Sequence, residues 1–220
     1  METRVHELHP TLIHAPLALL PSTVVIDLAA ALSGNRRLDK AARTLWWTTA
    51  ASGLLAGLAG MAASQEVKVE ERHTRDMMFL HGLGNVTIVL GAFGVAMWRA
   101  SHRPSLLSNI LGLGAFAFAS YTGWLGGEMV YTHGVGVKDL TMKGEELDQR
   151  SPPLLSRQAP ARLLRDAVKG LGWLLGRARQ VFVGREQLDP SAFGVKSIEQ
   201  KLEQRPPVGL GESRPEIRPV

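Results

Sequence analysis

The sequence predicts an all-α membrane protein: a polytopic, up-down bundle of four transmembrane helices, followed by a C-terminal amphipathic helix and an extended tail. Three observations carry this. Thr44–Ala63, Met77–Trp98 and Pro104–Gly127 contain no Asp, Glu, Lys or Arg. Each is about 20 residues or longer, enough to cross roughly 30 Å of hydrocarbon. The connections "SGNRRLDKAAR", "SQEVKVEERHTRD" and "ASHRPS" are short, so consecutive spans become antiparallel neighbours. Finally, all seven histidines lie at or before His133, whereas residues 134–220 hold eight of the twelve prolines. A membrane core followed by a polar tail fits that split. The expected domains are a four-span unit over 1–140, a linker over 141–160, an amphipathic helix over 161–184 and an extended or disordered tail over 185–220.

The first span is Pro10–Leu32, with one charge, Asp27. A cleaved signal peptide is its rival reading, because "LAAAL" resembles a cleavage site. The first residues are weakly basic, however, and Pro16 and Pro21 interrupt the apolar run. Pro10 suits a first helical turn and biases His9 toward an extended conformation. Pro16 removes the bond to Leu12 and predicts a kink that re-aims His14. Asp27 lies about 220° around the helix from His14 at 100° per residue, and deeper toward the other face. Its expected roles are a pair with Asn109 or a loop arginine, or a proton relay.

The second span brings Gly53, Gly57 and Gly60 to one face, and the fourth brings Ser108, Gly112, Ala115 and Ala119. Small faces let helices approach closely in lipid; the other reading is room for a flat cofactor. The third span carries His81 and Asn85, four apart and therefore on one face. A neutral imidazole there is a fit ligand for iron or a divalent metal if its other ring nitrogen meets Asn85 or a backbone carbonyl. Its alternative is a histidine bonded to a neighbouring helix. The fourth span ends in "SYTGWLGGEMVYTHGVGV". Tyr121, Trp124 and Tyr131 suit a headgroup belt, Gly126–Gly127 is the expected helix end, and the later glycines turn His133 back toward the bundle. Ala161–Val183 reads as a basic amphipathic helix on the membrane or a partner, with Leu164, Val168, Leu171, Leu175, Ala178 and Phe182 as its apolar face.

In an up-down bundle, His9, His14, His73, His81 and His133 share one membrane face and only His102 falls on the other. His14 and His81, at similar depth, are the leading cofactor or metal ligands, with His133 and His9 as alternates and Asn85 as their support. Basic residues divide evenly between the two faces. The four basic residues after the first span place both termini outside the cytoplasm. The absence of cysteine excludes disulfides, thiolate iron–sulfur ligation and covalent CxxCH haem attachment. The net charge of +5 forms no stripe for nucleic acid. No nucleophile elbow or HExxH motif is present, so nothing supports a hydrolase, and whether the chain has an enzymatic activity of its own stays open, with none as the favoured reading.

The segments "HPTLIHAPLALLP", "MMFLHGLGN" and "GWLGGEMVYTHGVGV" resemble the bacterial membrane proteins catalogued as domain of unknown function 2231, over roughly residues 8–138. The pattern carries onto His9, Pro10, His14, Pro16, His81, Gly126, Gly127 and His133. Members are sometimes fused to Rieske or cytochrome c domains. The resemblance implies a multi-pass protein of the bacterial inner membrane in a redox neighbourhood. This chain lacks the cysteines either fused domain would need. Three functions stay open: a haem-b electron carrier with a redox partner, a non-haem zinc, copper or iron site, and a structural or assembly subunit of a membrane complex.

Overall fold

The computed structural model describes residues 7–67, 69–136 and 152–194. The elements are α1 (Leu8–Leu12), α2 (His14–Ser33), α3 (Arg36–Ala63), α4 (Arg72–Ser101), α5 (Leu106–Tyr131), α6 (Ala159–Phe182) and a 3₁₀ turn, Pro190–Phe193. Three helical stretches are long and apolar enough to cross a membrane: Leu8–Ser33, α4 and α5. The expected second span, Thr44–Ala63, lies inside the 28-residue α3. That helix matches its neighbours in length, but Thr44, Trp46, Trp47, Thr48, Thr49, Ser52 and Gly53 dilute its apolar run. Among the described residues the architecture is therefore all-α, with three helical stretches long and apolar enough to cross a membrane.

The helices also run further than their apolar stretches. Asn35 caps α3 by accepting from the Arg37 amide at 2.8 Å, and Gly34 reverses the chain with φ +63°, a left-handed conformation that glycine adopts without penalty. The expected connection "SGNRRLDKAAR" thus shrinks to Gly34–Asn35, and its charges sit on the first turns of α3. A capping box joins Ser105 and Ser108 at the start of α5. This helix passes through the expected stop at Gly126–Gly127 and ends at Tyr131. At the entry, the break falls at Ile13, between α1 and α2, and His9 is helical rather than extended. Pro10 stands in the first turn of α1, where a missing N–H leaves no helical bond unmade.

Packing joins α2 to α3 and α5, α3 to α4, and α4 to α5. Leu20, Val24, Trp46, Ala50, Ala92, Val95 and Ala96 form the core at the end away from the histidines. Alanine and glycine permit the close approach: a Cβ on Gly112 would stand 3.1 Å from Val24 and 3.3 Å from Trp46. Thr23 and Thr49 share a buried hydrogen bond at 2.8 Å. Beyond them, Asp27 accepts from Arg99 Nε at 2.9 Å, and Arg99 also reaches Asp39 at 2.6 Å. Both Asp27 and Arg99 are fully buried. Asp27 is thus paired with an arginine, and Asn109 instead donates to the Ser105 carbonyl at 2.9 Å. Arg99, expected in a loop, belongs to the last turn of α4.

α6 packs across α3 and α4. The residues it buries are Ala159, Asp166, Ala167, Gly170, Leu174, Arg177 and Ala178. The apolar face expected to meet the membrane or a partner leaves Leu164, Val168, Leu171, Leu175 and Phe182 exposed; Ala178 of that set is buried against the bundle. Arg177 explains the docking. It pairs with the buried Asp76 of α4 and with Glu186 at 2.6 Å, and it stands over the Phe79 and Trp173 rings. Residues 185–194 are held on the bundle rather than extended, because the Asp189 amide donates to Asp76 at 2.7 Å. Residues 141–151 of the expected linker and 195–220 of the expected tail lie outside the described residues.

Candidate histidine site

The bundle gathers histidines at one end, as the up-down topology requires, but in two pairs. The inner pair is His9 from α1 and His81 from α4, with ring centroids 6.3 Å apart and planes at 85°. The rim pair is His73 and His133, with centroids 5.3 Å apart. His102 lies at the other end, stacked on Trp98. The leading expectation paired His14 with His81. His14 is instead exposed, and its Nδ1 faces the Thr11 carbonyl of its own chain segment at 3.3 Å. The helical first turn turns His9 inward, and the histidine in ring contact with His81 is His9.

Each inner imidazole is fixed by a backbone carbonyl of a facing helix. His9 Nδ1 meets Ala56 O of α3 at 3.0 Å. His81 Nδ1 meets Thr122 O of α5 at 2.8 Å. A carbonyl only accepts, so both rings carry a proton on Nδ1. This is how ligating histidines are usually oriented: one nitrogen is anchored and the other is left to bind. Asn85 donates from Nδ2 to His81 Nε2 at 3.1 Å, and Thr122 Oγ1 donates to Asn85 Oδ1 at 3.3 Å. The acceptor for the His81 N–H is therefore the Thr122 carbonyl, while Asn85 serves the other nitrogen.

Two glycines make room for the rings. A Cβ on Gly60 would lie 2.9 Å from His9, and one on Gly126 would lie 2.9 Å from His81. Both distances are too short for a real contact. Gly60 and Gly126 thus belong to the site, although in the sequence they read as packing residues or a helix end. Their signal was present as small residues one turn from the membrane boundary, without any mark of what they face.

The rim pair has carboxylate company. His73 Nδ1 meets Ser191 Oγ at 2.9 Å and stands 3.8 Å from Asp189. His133 stands 3.5 Å from Glu71. Gly134 and Gly136, with φ of +65° and +73°, form the turn after His133. Hydrogen bonds to Asp189 from the Ser191 amide and hydroxyl hold its carboxyl below the ordinary value; weaker help comes from His73 and Arg72. The contact between residues 189–191 and His73 could not be read from sequence, because it joins segments with no shared periodicity.

Among the described residues, no group of three or more His, Asp or Glu side chains is placed to hold a metal ion. The inner pair is a two-donor set. Two imidazoles sharing one metal, each through one nitrogen at about 2.0–2.1 Å, have ring centres about 6 Å apart. The His9–His81 rings meet edge to face at 6.3 Å, a distance that ordinary aromatic packing also gives. The Asn85 amide occupies the His81 Nε2 lone pair.

Residues 5–139 match the family of predicted membrane proteins designated DUF2231. No curated protein and no solved structure matches the chain.

Proposed function

The chain belongs to the DUF2231 family of predicted membrane proteins, and from that premise we propose that it is a haem-b-binding, electron-transfer component of the bacterial inner membrane, with His9 and His81 as the residues that would hold the haem iron. The observation that carries the reading is the pair itself. Two imidazoles on different helices, each anchored through Nδ1 to a helix carbonyl, face each other with ring centres 6.3 Å apart. A porphyrin-bound iron needs only two protein ligands, so the set is sufficient. Bound there, haem b would supply a one-electron couple. The chain's own residues orient the two rings, fix their tautomers and keep the Gly60 and Gly126 sides open to them. His14 and His133 are not assigned as ligands in this proposal.

The reading includes four crossings. α3 has no charged residue between positions 44 and 63, and it packs against two of the apolar spans, α2 and α4. With α3 crossing, both ends of the four-span unit fall on one side, and the basic residues after α2 favour the non-cytoplasmic side for the termini.

The test is an absorption spectrum of the full-length protein, purified in detergent after haem-replete expression. A Soret band with sharp reduced α and β bands is expected. His9→Ala and His81→Ala should lose it, while His14→Ala should keep it. A wild-type protein that carries no chromophore would overturn the proposal and favour a structural role for the pair. Retention of haem by both His9→Ala and His81→Ala would move the ligands elsewhere.

A further inference from the structure

The C-terminal helix lies beyond the residues that match the family, and its surface divides into three sectors at 100° per residue. Gly170, Leu174 and Arg177 face the bundle and are buried. The next sector holds Leu164, Val168, Leu171, Leu175 and Phe182, which are 40–84% exposed. The third sector holds Arg165, Lys169 and Arg179, also exposed. An ordinary docked helix has two such sectors, a buried face and a polar face. The continuous apolar stripe beside the docked face is the feature that docking leaves unexplained.

The position of the helix accounts for it. Gly170 crosses α3 at Met61, so closely that a Cβ would overlap the Met61 carbonyl. Leu174 sits beside Gly82, and Arg177 pairs with Asp76. Met61 is near the end of the charge-free run of α3, and Asp76 immediately precedes the charge-free run of α4. The Met61 and Asp76 contacts thus lie at the same boundary between apolar and polar sequence, and the Gly82 contact lies about one and a half turns inside it. On α3, the exposed Leu54, Leu55 and Leu58 continue the apolar surface inward from that boundary.

We propose that α6 is an in-plane membrane helix at the histidine end of the bundle: its Leu164–Phe182 stripe rests in the acyl layer, and Arg165, Lys169 and Arg179 hold the headgroups of anionic phospholipids. Apolar burial and attraction to anionic lipid together are what bind such helices to a bilayer surface. Of the occupants for the stripe, the bilayer is the one that also accounts for the basic sector beside it and for the boundary position of the Met61 and Asp76 contacts. This proposal does not depend on haem binding, and its readout is separate from the absorption spectrum.

The chain has no cysteine, so single cysteines report single positions. Val168→Cys, Leu175→Cys and Lys169→Cys in the full-length protein would each carry an environment-sensitive fluorophore. The proteins would be reconstituted into vesicles of phosphatidylcholine, with or without phosphatidylglycerol. The substituted positions are exposed, so the fold is not at stake. Labels at 168 and 175 should be blue-shifted relative to the label at 169. They should lose fluorescence to quenchers carried on lipid acyl chains and resist aqueous iodide. The triple variant Arg165→Gln/Lys169→Gln/Arg179→Gln, labelled at 168, should lose any additional blue shift conferred by phosphatidylglycerol. Quenching of 168 and 175 by iodide alone would overturn the proposal. Protection of both from lipid-borne and aqueous quenchers would assign the stripe to a protein contact and overturn it as well.

Discussion

His9 and His81 meet edge to face, 6.3 Å between ring centres, each held by its Nδ1 on the backbone carbonyl of a third or fourth helix. The contact draws on all four long helical stretches: α1 and α4 supply the rings, α3 and α5 the carbonyls. Moving either acceptor helix changes the aim of a ring. The two glycines beside the rings are therefore as much a part of the pair as the carbonyls are.

The first prediction separates those glycines from others of the same stripe. Gly60→Ala and Gly126→Ala place a methyl 2.9 Å from an imidazole. Each should destabilise the protein by about 1–3 kcal/mol, the usual cost of overpacking, and should lower haem content if the pair ligates. Gly57→Ala, where a Cβ meets nothing within 4 Å, should be neutral or stabilising by roughly 0.5–1 kcal/mol. Unfolding in mixed detergent micelles, with haem-to-protein ratios beside it, checks both signs. Equal effects at 57, 60 and 126 would show that the glycines act only through helix propensity.

The family, the helical class and the gathering of histidines at one end were legible because they rest on charge-free runs and span parity. Parity places His9, His14, His81 and His133 together whatever the details. It does not say which side chains point inward. His14 was preferred to His9 on depth, yet α1 is helical through His9 and presents it to Ala56. An arginine was one of several partners open to Asp27, and Arg99 looked like a loop residue because an apolar run stops at the first charge while a helix need not. The docking of α6 was the least legible. Its buried face is built of Gly170, Ala167, Asp166 and Arg177, which no hydrophobicity pattern marks as an interface.

The second prediction concerns that docking. Asp76 is fully buried and is satisfied by Arg177 and by the Asp189 amide. Arg177→Ala leaves a buried carboxylate short of its cation, at a cost of about 3–5 kcal/mol. Truncation after Gln149 removes both partners and should destabilise the core at least as much. The double variant Arg177→Ala/Asp76→Ala should recover part of the loss, because the uncompensated charge is gone. Thermal unfolding of the three proteins in one detergent decides the matter. A truncated chain as stable as the full chain would show that the tail contributes nothing to the fold.

The third prediction follows from Asp189. Its bonds to the Ser191 hydroxyl and amide, 2.7 and 2.9 Å, hold its carboxyl below the ordinary value. A depressed folded value means that the carboxylate stabilises the docked 3₁₀ turn above the unfolded value of about 3.9. That contribution is lost as pH falls through the lower, folded value. Residues 189–193 should therefore loosen from His73 in acid, starting just below about pH 4, and be fully attached at neutral pH. The charged and titratable groups facing Asp189 are His73 and Arg72; both favour its ionised form when they carry charge. Hydrogen exchange of the Ser191 and Ala192 amides against pH is the measurement. Asp189→Asn should remove the acid-dependent part, and an identical profile in that variant would assign the change to another group.

The last prediction tests the opposite end of the bundle. Asp27 and Arg99 lie wholly inside the packed helices, joined at 2.8–2.9 Å. Arg99 also reaches Asp39, which Arg43 holds from the other side at 2.9 Å. Two carboxylates and two guanidiniums thus balance in one chain of contacts, and the innermost pair has the least access to water. Asp27→Ala removes the only one of the two carboxylates that is fully buried, and Arg99 keeps a partner only on its Asp39 side. The expected cost is about 3–5 kcal/mol. Asp39→Ala should cost less, because Asp39 is partly exposed and the Asp27–Arg99 pair survives it. Arg99→Lys should not rescue, since one ammonium cannot serve Asp27 and Asp39 in the geometry of a planar fork. Unfolding free energies in mixed micelles rank the three. If Asp39→Ala proved costlier than Asp27→Ala, the balance of charge at the membrane boundary, rather than burial of the inner pair, would govern this end of the fold.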